Sequence, residues 1–377
     1  MIRWRFIYLY FFLVSAGVSL FLVPLFRRFA LRFQVMDHPG ERKLHTEPLP
    51  LFGGGAIFCA IVAVVAFHYA VQPMMAQSGF VQTVVPEFYR SYLHGIWAFS
   101  GRMWTIFLGA AFISALGLLD DVRGVSIRMR FLFEILIAVA VVAIGIKPDI
   151  AVFPQPLVWL VSVIWIVGIT NSMNLLDGAD GLAAGVGAIA ALLLAWVMAL
   201  GGQPLPAVFL LVLAGAVAGF LRYNFPPARI FMGSWGSMLI GYLLAVAVLL
   251  TTDVAAGENW LLPILIPLLI LGIPLYDTFS VIAIRLAQGR SPVLADQNHF
   301  VHRLMRFGFS PKQAVLFIYL LTLCIGINAT LLLRADARTS FILLLQILMT
   351  FGVIVVLERV LLAHAAALRK KRKETKT

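Results

Sequence analysis

Asn171, Asn174, Asp177 and Asp180 recur at every third position within the stretch NSMNLLDGADGLAAG, Asn171–Gly185. On an ideal helix, successive members of such a set drift by about 60°, so they fan across the helix, and a tighter turn brings them closer to one line. Gly178 and Gly181 argue against a long regular helix and let the backbone approach a ligand. Two acceptor-only carboxylates flanked by carboxamides, on a glycine-broken segment, suit an Mg²⁺ that carries substrate phosphates. Taken alone, D-G-x-D-G reads more simply as a polar helix end, so the rest of the chain has to decide.

Asp120-Asp121 close an apolar run as LLDDVRG. Adjacent carboxylates at a membrane boundary are costly unless solvated, paired with Arg123 or Arg128, or bound to a metal. Arg42, Lys43 and His45 precede Gly53-Gly54-Gly55, which either offers cations and a flexible backbone to phosphate oxygens or is a charge cluster that sets topology. Asp277 follows Pro274 in an apolar run, with Arg285 as its simplest partner. His299 and His302, after Asp296, are spaced to share a helical turn and contact phosphate or metal, or to be plain surface histidines. Asn224-Phe225-Pro226-Pro227 signals a turn into FMGSWGSM, read as a phosphate-side loop or a helix start.

The elements that position these residues are membrane spans. The chain has 377 residues, 62% hydrophobic and 12% charged, with mean hydropathy +0.97, which excludes an ordinary soluble enzyme. Apolar windows predict eleven helices near 6–26, 51–71, 104–119, 131–146, 155–171, 182–200, 206–221, 236–252, 261–280, 313–333 and 340–361. Of the 29 Lys and Arg, 22 fall on one set of alternate loops with the tail and 7 on the other. The positive-inside rule then sets the N-terminus in the periplasm and the C-terminus in the cytoplasm. Residues 1–362 read as one bundle with catalytic cytoplasmic loops, and 363–377 as a basic cytoplasmic tail. The segment 73–103 reads as an outside loop with interfacial aromatics. This placement turns the +12 net charge toward topology and away from nucleic acid. Cys59 and Cys324 lie in apolar runs and imply neither a disulfide framework nor a thiolate metal site.

All of these polar segments fall on the cytoplasmic face. On RKLHTEPLP-x-x-GGG, LLDDVRG, NSMNLLDGADGLAAG, YNFPPARIFMG and Asp296–His299, the sequence resembles the polyprenyl-phosphate N-acetylhexosamine-1-phosphate transferases. It is most similar to the undecaprenyl-phosphate GlcNAc-1-phosphate transferase branch that starts O-antigen and enterobacterial common antigen synthesis. The resemblance implies an Mg²⁺- or Mn²⁺-dependent enzyme of the bacterial inner membrane. Its partners would be a UDP-N-acetylhexosamine, undecaprenyl phosphate and the lipid bilayer, with room for a homodimer, and its by-product UMP. It implies Asp120, Asp121, Asp177 and Asp180 as the catalytic and metal-binding carboxylates. Lys43, His45, Asn171, Asn174, His299, His302 and Arg303 become substrate-binding residues.

The chain departs from the family pattern twice. Ser234 stands where the family writes an Asp, and Val301 where it writes the middle His of His-x-His-His. Both substitutions lead to an expectation of weaker metal binding or slower turnover. Two other readings are therefore kept beside the transferase: a homologue that binds polyprenyl phosphate or sugar nucleotide without efficient turnover, and a transporter. Transporters place ionisable groups near the bilayer midplane, whereas these carboxylates gather at one face.

Overall fold

The computed structural model describes residues 2–39, 47–77, 87–148, 153–251, 262–291, 297–333 and 335–374. The elements in order are α1 (Ile2–Phe33), β1 (Met36–Asp37), β2 (Leu49–Pro50), α2 (Gly53–Gln77), α3 (Glu87–Arg123), α4 (Ile127–Ala143) and α5 (Gln155–Leu176). Then follow α6 (Leu182–Leu200), α7 (Pro204–Asn224), α8 (Gly233–Thr251), α9 (Leu262–Ile270), α10 (Gly272–Ala287), α11 (Phe300–Arg306), α12 (Pro311–Gly326), α13 (Asn328–Leu332) and α14 (Ala337–Glu374).

The chain is an all-helical polytopic membrane protein. Nine helices among the described residues are long and apolar enough to cross a membrane. Two of the eleven expected spans take other forms. Helix α4, with 17 residues, sits at the short limit of about 17–25 for a span. The ninth is broken into α9 and α10, bent by 78°. Pro274 explains the break: it has no N–H for the carbonyl of Ile270, one turn earlier. Part of the expected outside loop is helical, since α3 already starts at Glu87.

Helix α8 is the axis of the bundle, packed against α2, α3, α5 and α6. Its apolar window is 83% buried, against 17% for each of α1 and α14 at the periphery. Close approach depends on small residues. A Cβ on Gly215 or Gly219 of α7 would lie 2.3 Å from the Phe12 carbonyl oxygen or 2.5 Å from that of Ala16, both on α1. Removing side chains at four-residue spacing lets two helices pack backbone to backbone where no aqueous hydrophobic effect drives them together.

Two strands join this bundle. Met36 pairs with Pro50 and Asp37 with Leu49 in an antiparallel ladder, which fixes the polar stretch between them at both ends. Gly53 and Gly54 then donate their N–H groups to the carbonyls of Phe231 and Met232, at 2.9 and 3.1 Å. A Cβ on Gly54 would fall 2.3 Å from the backbone nitrogen of Gly236. The triple glycine is thus the packing surface of α2 against the start of α8, not the phosphate cradle expected from sequence.

Candidate functional site

One end of the bundle gathers the ends of α3 and α5, the start of α8 and the loops beside them. Asp120 and Asp121 occupy the last turn of α3. Asp121 accepts from the backbone N–H groups of Ser234, at 2.8 Å, and Trp235, at 3.0 Å. These belong to the first turn of α8, so the carboxylate caps a helix N-terminus, where unpaired N–H groups and the helix dipole favour an anion. Gly233, with φ +67°, makes this contact possible, because a Cβ there would lie 2.3 Å from the Asp121 carboxylate. FMGSWGSM is a helix start whose first donors are already taken.

Asp120 is held as firmly. It accepts from Val125 N–H at 3.0 Å, Ser234 Oγ–H at 2.8 Å and Arg130 Nη1–H at 3.4 Å. Arg130 also faces Asn171 Oδ1 at 3.5 Å and forms an ion pair with Glu134 at 3.7 Å. Asn171 donates to Glu134 and to the Val167 carbonyl, the latter at 2.9 Å. Asn174 accepts from Ser237 at 2.9 Å. The two carboxamides therefore brace α5 against α4 and α8.

The loop from Asp177 to Gly181 crosses between α5 and α6, as its glycines imply. Gly181 has φ +73° and donates its N–H to Asn224 Oδ1 at 3.0 Å. Asp180 accepts from Ala228 N–H at 2.8 Å. Asp177 differs: among the described residues its carboxylate has no hydrogen-bond donor and no ion-pair partner. Desolvation pushes it up to about 8, aided by the carboxylates of Asp121, Asp37 and Asp180 in that order. Asp37, on β1, is an acidic neighbour that sequence reasoning passed over.

The histidine segment arrives from the other side. A Cβ on Gly178 would lie 3.9 Å from His302 Nε2, which places that imidazole beside the loop. Tyr319 O–H donates to the Gly181 carbonyl at 2.5 Å. His299 and Asp277 form a buried pair at 2.7 Å between Nδ1 and Oδ2. Arg303 is 1% exposed and donates to Glu358 at 2.9 Å, the Asn298 carbonyl at 2.6 Å and Ser280 Oγ at 2.8 Å. Its guanidinium faces the rings of Tyr276 and Phe300 at 5.8 and 5.6 Å. Lys43, His45 and Asp296 lie outside the described residues.

Residues 103–252, which carry Asp120, Asp121, Asp177, Asp180 and the start of α8, match the family model described as glycosyl transferase family 4. The protein named probable undecaprenyl-phosphate N-acetylglucosaminyl 1-phosphate transferase of Bacillus subtilis (strain 168) is 35% identical over 352 residues, covering 91% of this chain and 90% of that protein. The chain belongs to glycosyl transferase family 4. Another member, the decaprenyl-phosphate N-acetylglucosaminephosphotransferase of Mycolicibacterium smegmatis, is 34% identical over 339 residues, 82% of this chain and 78% of its own. The undecaprenyl-phosphate alpha-N-acetylglucosaminyl 1-phosphate transferase of Thermotoga maritima is 25% identical over 331 residues, covering 82% and 94%.

The geometry revises the two departures from the pattern of glycosyl transferase family 4. Ser234 is a hydrogen-bond donor to Asp120, so its hydroxyl joins the acidic pair and offsets part of its charge. Val301 is 1% exposed, inside the apolar core. Its side chain is packing material, so an imidazole at this position would lie among apolar side chains. Arg130, Glu134 and Glu358 were missed as site-shaping residues. A lone Glu within FLFEILIAV, and another in VVLERVLL, was the available signal.

Proposed function

We propose that the protein transfers N-acetylglucosamine 1-phosphate from a UDP-sugar to undecaprenyl phosphate, releasing UMP, at the cytoplasmic face of the bacterial inner membrane. The observation that carries this reading is Asp177, a carboxylate that has no donor or cationic partner among the described residues and lies in a cluster with Asp37, Asp121 and Asp180. That cluster stands in a chain similar over most of its length to relatives named as GlcNAc 1-phosphate transferases. The charge split supports eleven spans with the N-terminus outside, the C-terminus inside, and a bundle of 1–362 followed by the tail 363–377.

Among the described residues no three His, Cys, Asp or Glu side chains form a ready-made metal cage. The donor set nonetheless fits Mg²⁺, or Mn²⁺, which is held by one or two carboxylates while substrate phosphates and water complete its shell. Asp177 would hold it, with Asp180 and Asp121 adding negative charge. When bound, the ion neutralises charge on the pyrophosphate oxygens of the sugar nucleotide.

The protein's own groups supply the remainder. Asp120 and Asp121, fixed by backbone and side-chain donors, orient the acceptor phosphate without moving. Arg130 balances Asp120 and presents positive charge to that phosphate. Asn171 and Asn174 keep α5 in register, and Lys43 and His45, in the stretch between β1 and β2, contact phosphate. His299 and His302 take the sugar-nucleotide side, and Arg303 holds the segment that carries them.

The test is purified protein with undecaprenyl phosphate, Mg²⁺ and a panel of UDP-sugars, followed by UMP release. Release with UDP-GlcNAc exceeding that with the other sugars is expected. The replacement of a family Asp by Ser234 favours one second reading, a homologue that binds without turnover. Saturable UDP-GlcNAc binding with no UMP formed would establish it. For orientation, a periplasmic reagent should label a single cysteine at position 90 and not at position 177.

A further inference from the structure

Asp277 lies in α10, in the bent ninth span, and is 1% exposed. One oxygen accepts from the Phe300 N–H at 2.5 Å and the other meets His299 Nδ1 at 2.7 Å. The first bond anchors the start of α11, for which His299 is the N-cap residue. The second fixes the ring. A carboxylate is acceptor-only, so in neutral His299 the proton must sit on Nδ1 and Nε2 is left as a bare acceptor on the opposite edge. The His299 and His302 rings are 6.5 Å apart, and His302 stands beside Gly178. The bare Nε2 therefore belongs to the histidine pair next to the Asp177 loop.

We infer that Asp277 is a positioning residue that sets the tautomer of His299 and so makes its Nε2 an acceptor for an N–H or O–H group of the sugar nucleotide. The inference rests on the transferase reading for what it does to turnover, but its structural half stands apart from it. Such an imidazole reads a hydroxyl or imide donor on the nucleoside or sugar, whereas phosphate oxygens are left to the cations. Asp277→Asn leaves size and burial nearly unchanged. A carboxamide can turn its NH₂ to the ring, which allows the Nε2–H tautomer and replaces the acceptor with a donor.

The experiment has two arms. In the first, protein labelled with ¹⁵N-histidine is compared with His299→Gln to assign His299 among the seven histidines. The expected spectrum shows the Nδ1–H tautomer in the parent and its loss in Asp277→Asn. An Nε2–H tautomer in the parent, or an unchanged signal in the variant, overturns the inference whether or not the protein turns over. In the second, UMP release is measured in Asp277→Asn, His299→Gln and the double variant. Asp277→Asn should cost about 10–100-fold in kcat/KM, mostly through KM for the UDP-sugar, and under about twofold in the His299→Gln background. Multiplying losses would mean that Asp277 acts only by anchoring α11. A parent without UMP release would count against the transferase reading alone, with the spectra still deciding the tautomer.

Discussion

Two acidic clusters, one around the buried Asp277 and one around the half-buried Asp177, differ in how they are satisfied. Around Asp277 and Glu358 every charge has a partner: Asp277 takes His299 and a backbone N–H, while Glu358 takes Arg303 and the Tyr276 hydroxyl at 3.0 Å. Around Asp177 the described residues leave a negative balance, with Asp37, Asp121 and Asp180 nearby and, among the described residues, no donor to Asp177 itself. Burying a charge is tolerated when it is paired and hydrogen-bonded. The first cluster meets that condition unaided, and its charges fix Arg303 and the ring of His299 in place. The second does not meet it with the described residues alone, and a carboxylate in that state is a candidate for function.

The scaffold side carries the largest expected energetic effect. Glu358→Ala leaves the Arg303 guanidinium buried and short of a partner, a loss of roughly 3–5 kcal/mol for a broken buried pair. Thermal unfolding in detergent should show a markedly lower Tm, with turnover per folded molecule falling less than in any Asp177 variant. An unchanged Tm would erase the distinction between the clusters from this side. Asp177→Asn is the mirror image. It should lower UMP release about 10²–10³-fold, the scale for removing a group that stabilises developing charge, while Tm stays level or rises.

Val301→His comes next. It buries an imidazole among apolar side chains, which costs roughly 1–3 kcal/mol without a partner. Tm should fall while the Mg²⁺ concentration for half-maximal UMP release stays as in the parent. A lowered Mg²⁺ requirement would return Val301 to the site.

The smallest effect is in pH. Because Asp177 titrates near 8, well above an ordinary carboxylate, its protonated form is favoured by the fold. The stability this gives is full at acidic pH and declines between the ordinary carboxylate value and about 8. A proton also competes with the cation for the same oxygens. The Mg²⁺ requirement should therefore fall by at most about tenfold per pH unit up to about 8, then level off. A flat requirement from pH 6 to 8 would place the metal elsewhere.

Much of this molecule was legible before its structure. Apolar runs marked the helices, and glycines marked the break between Leu176 and Leu182, because both signals are local. Asp120, Asp121, Asp177 and Asp180 stood out for the same reason: carboxylates at the ends of apolar runs need an explanation. Their partners were not legible. Asp121 caps a helix that starts 112 positions later, at Gly233, and the glycines at 53–55 read as a loop because the α8 surface they pack on is far along the chain. Arg303 reads in sequence as a substrate contact, whereas in the fold it is held by Glu358 on the last helix. Contacts across such separations are set by how helices pack, and no local pattern records them.

The role proposed for Asp177 is to hold a cation. The most direct measurement is thermal unfolding of the purified protein and of Asp177→Asn across an Mg²⁺ titration, with Ca²⁺ and NaCl at matched ionic strength as references. A ligand that binds the folded state raises Tm with concentration. A saturable rise specific to Mg²⁺ is expected in the parent and none in Asp177→Asn. Equal rises in both proteins would contradict it.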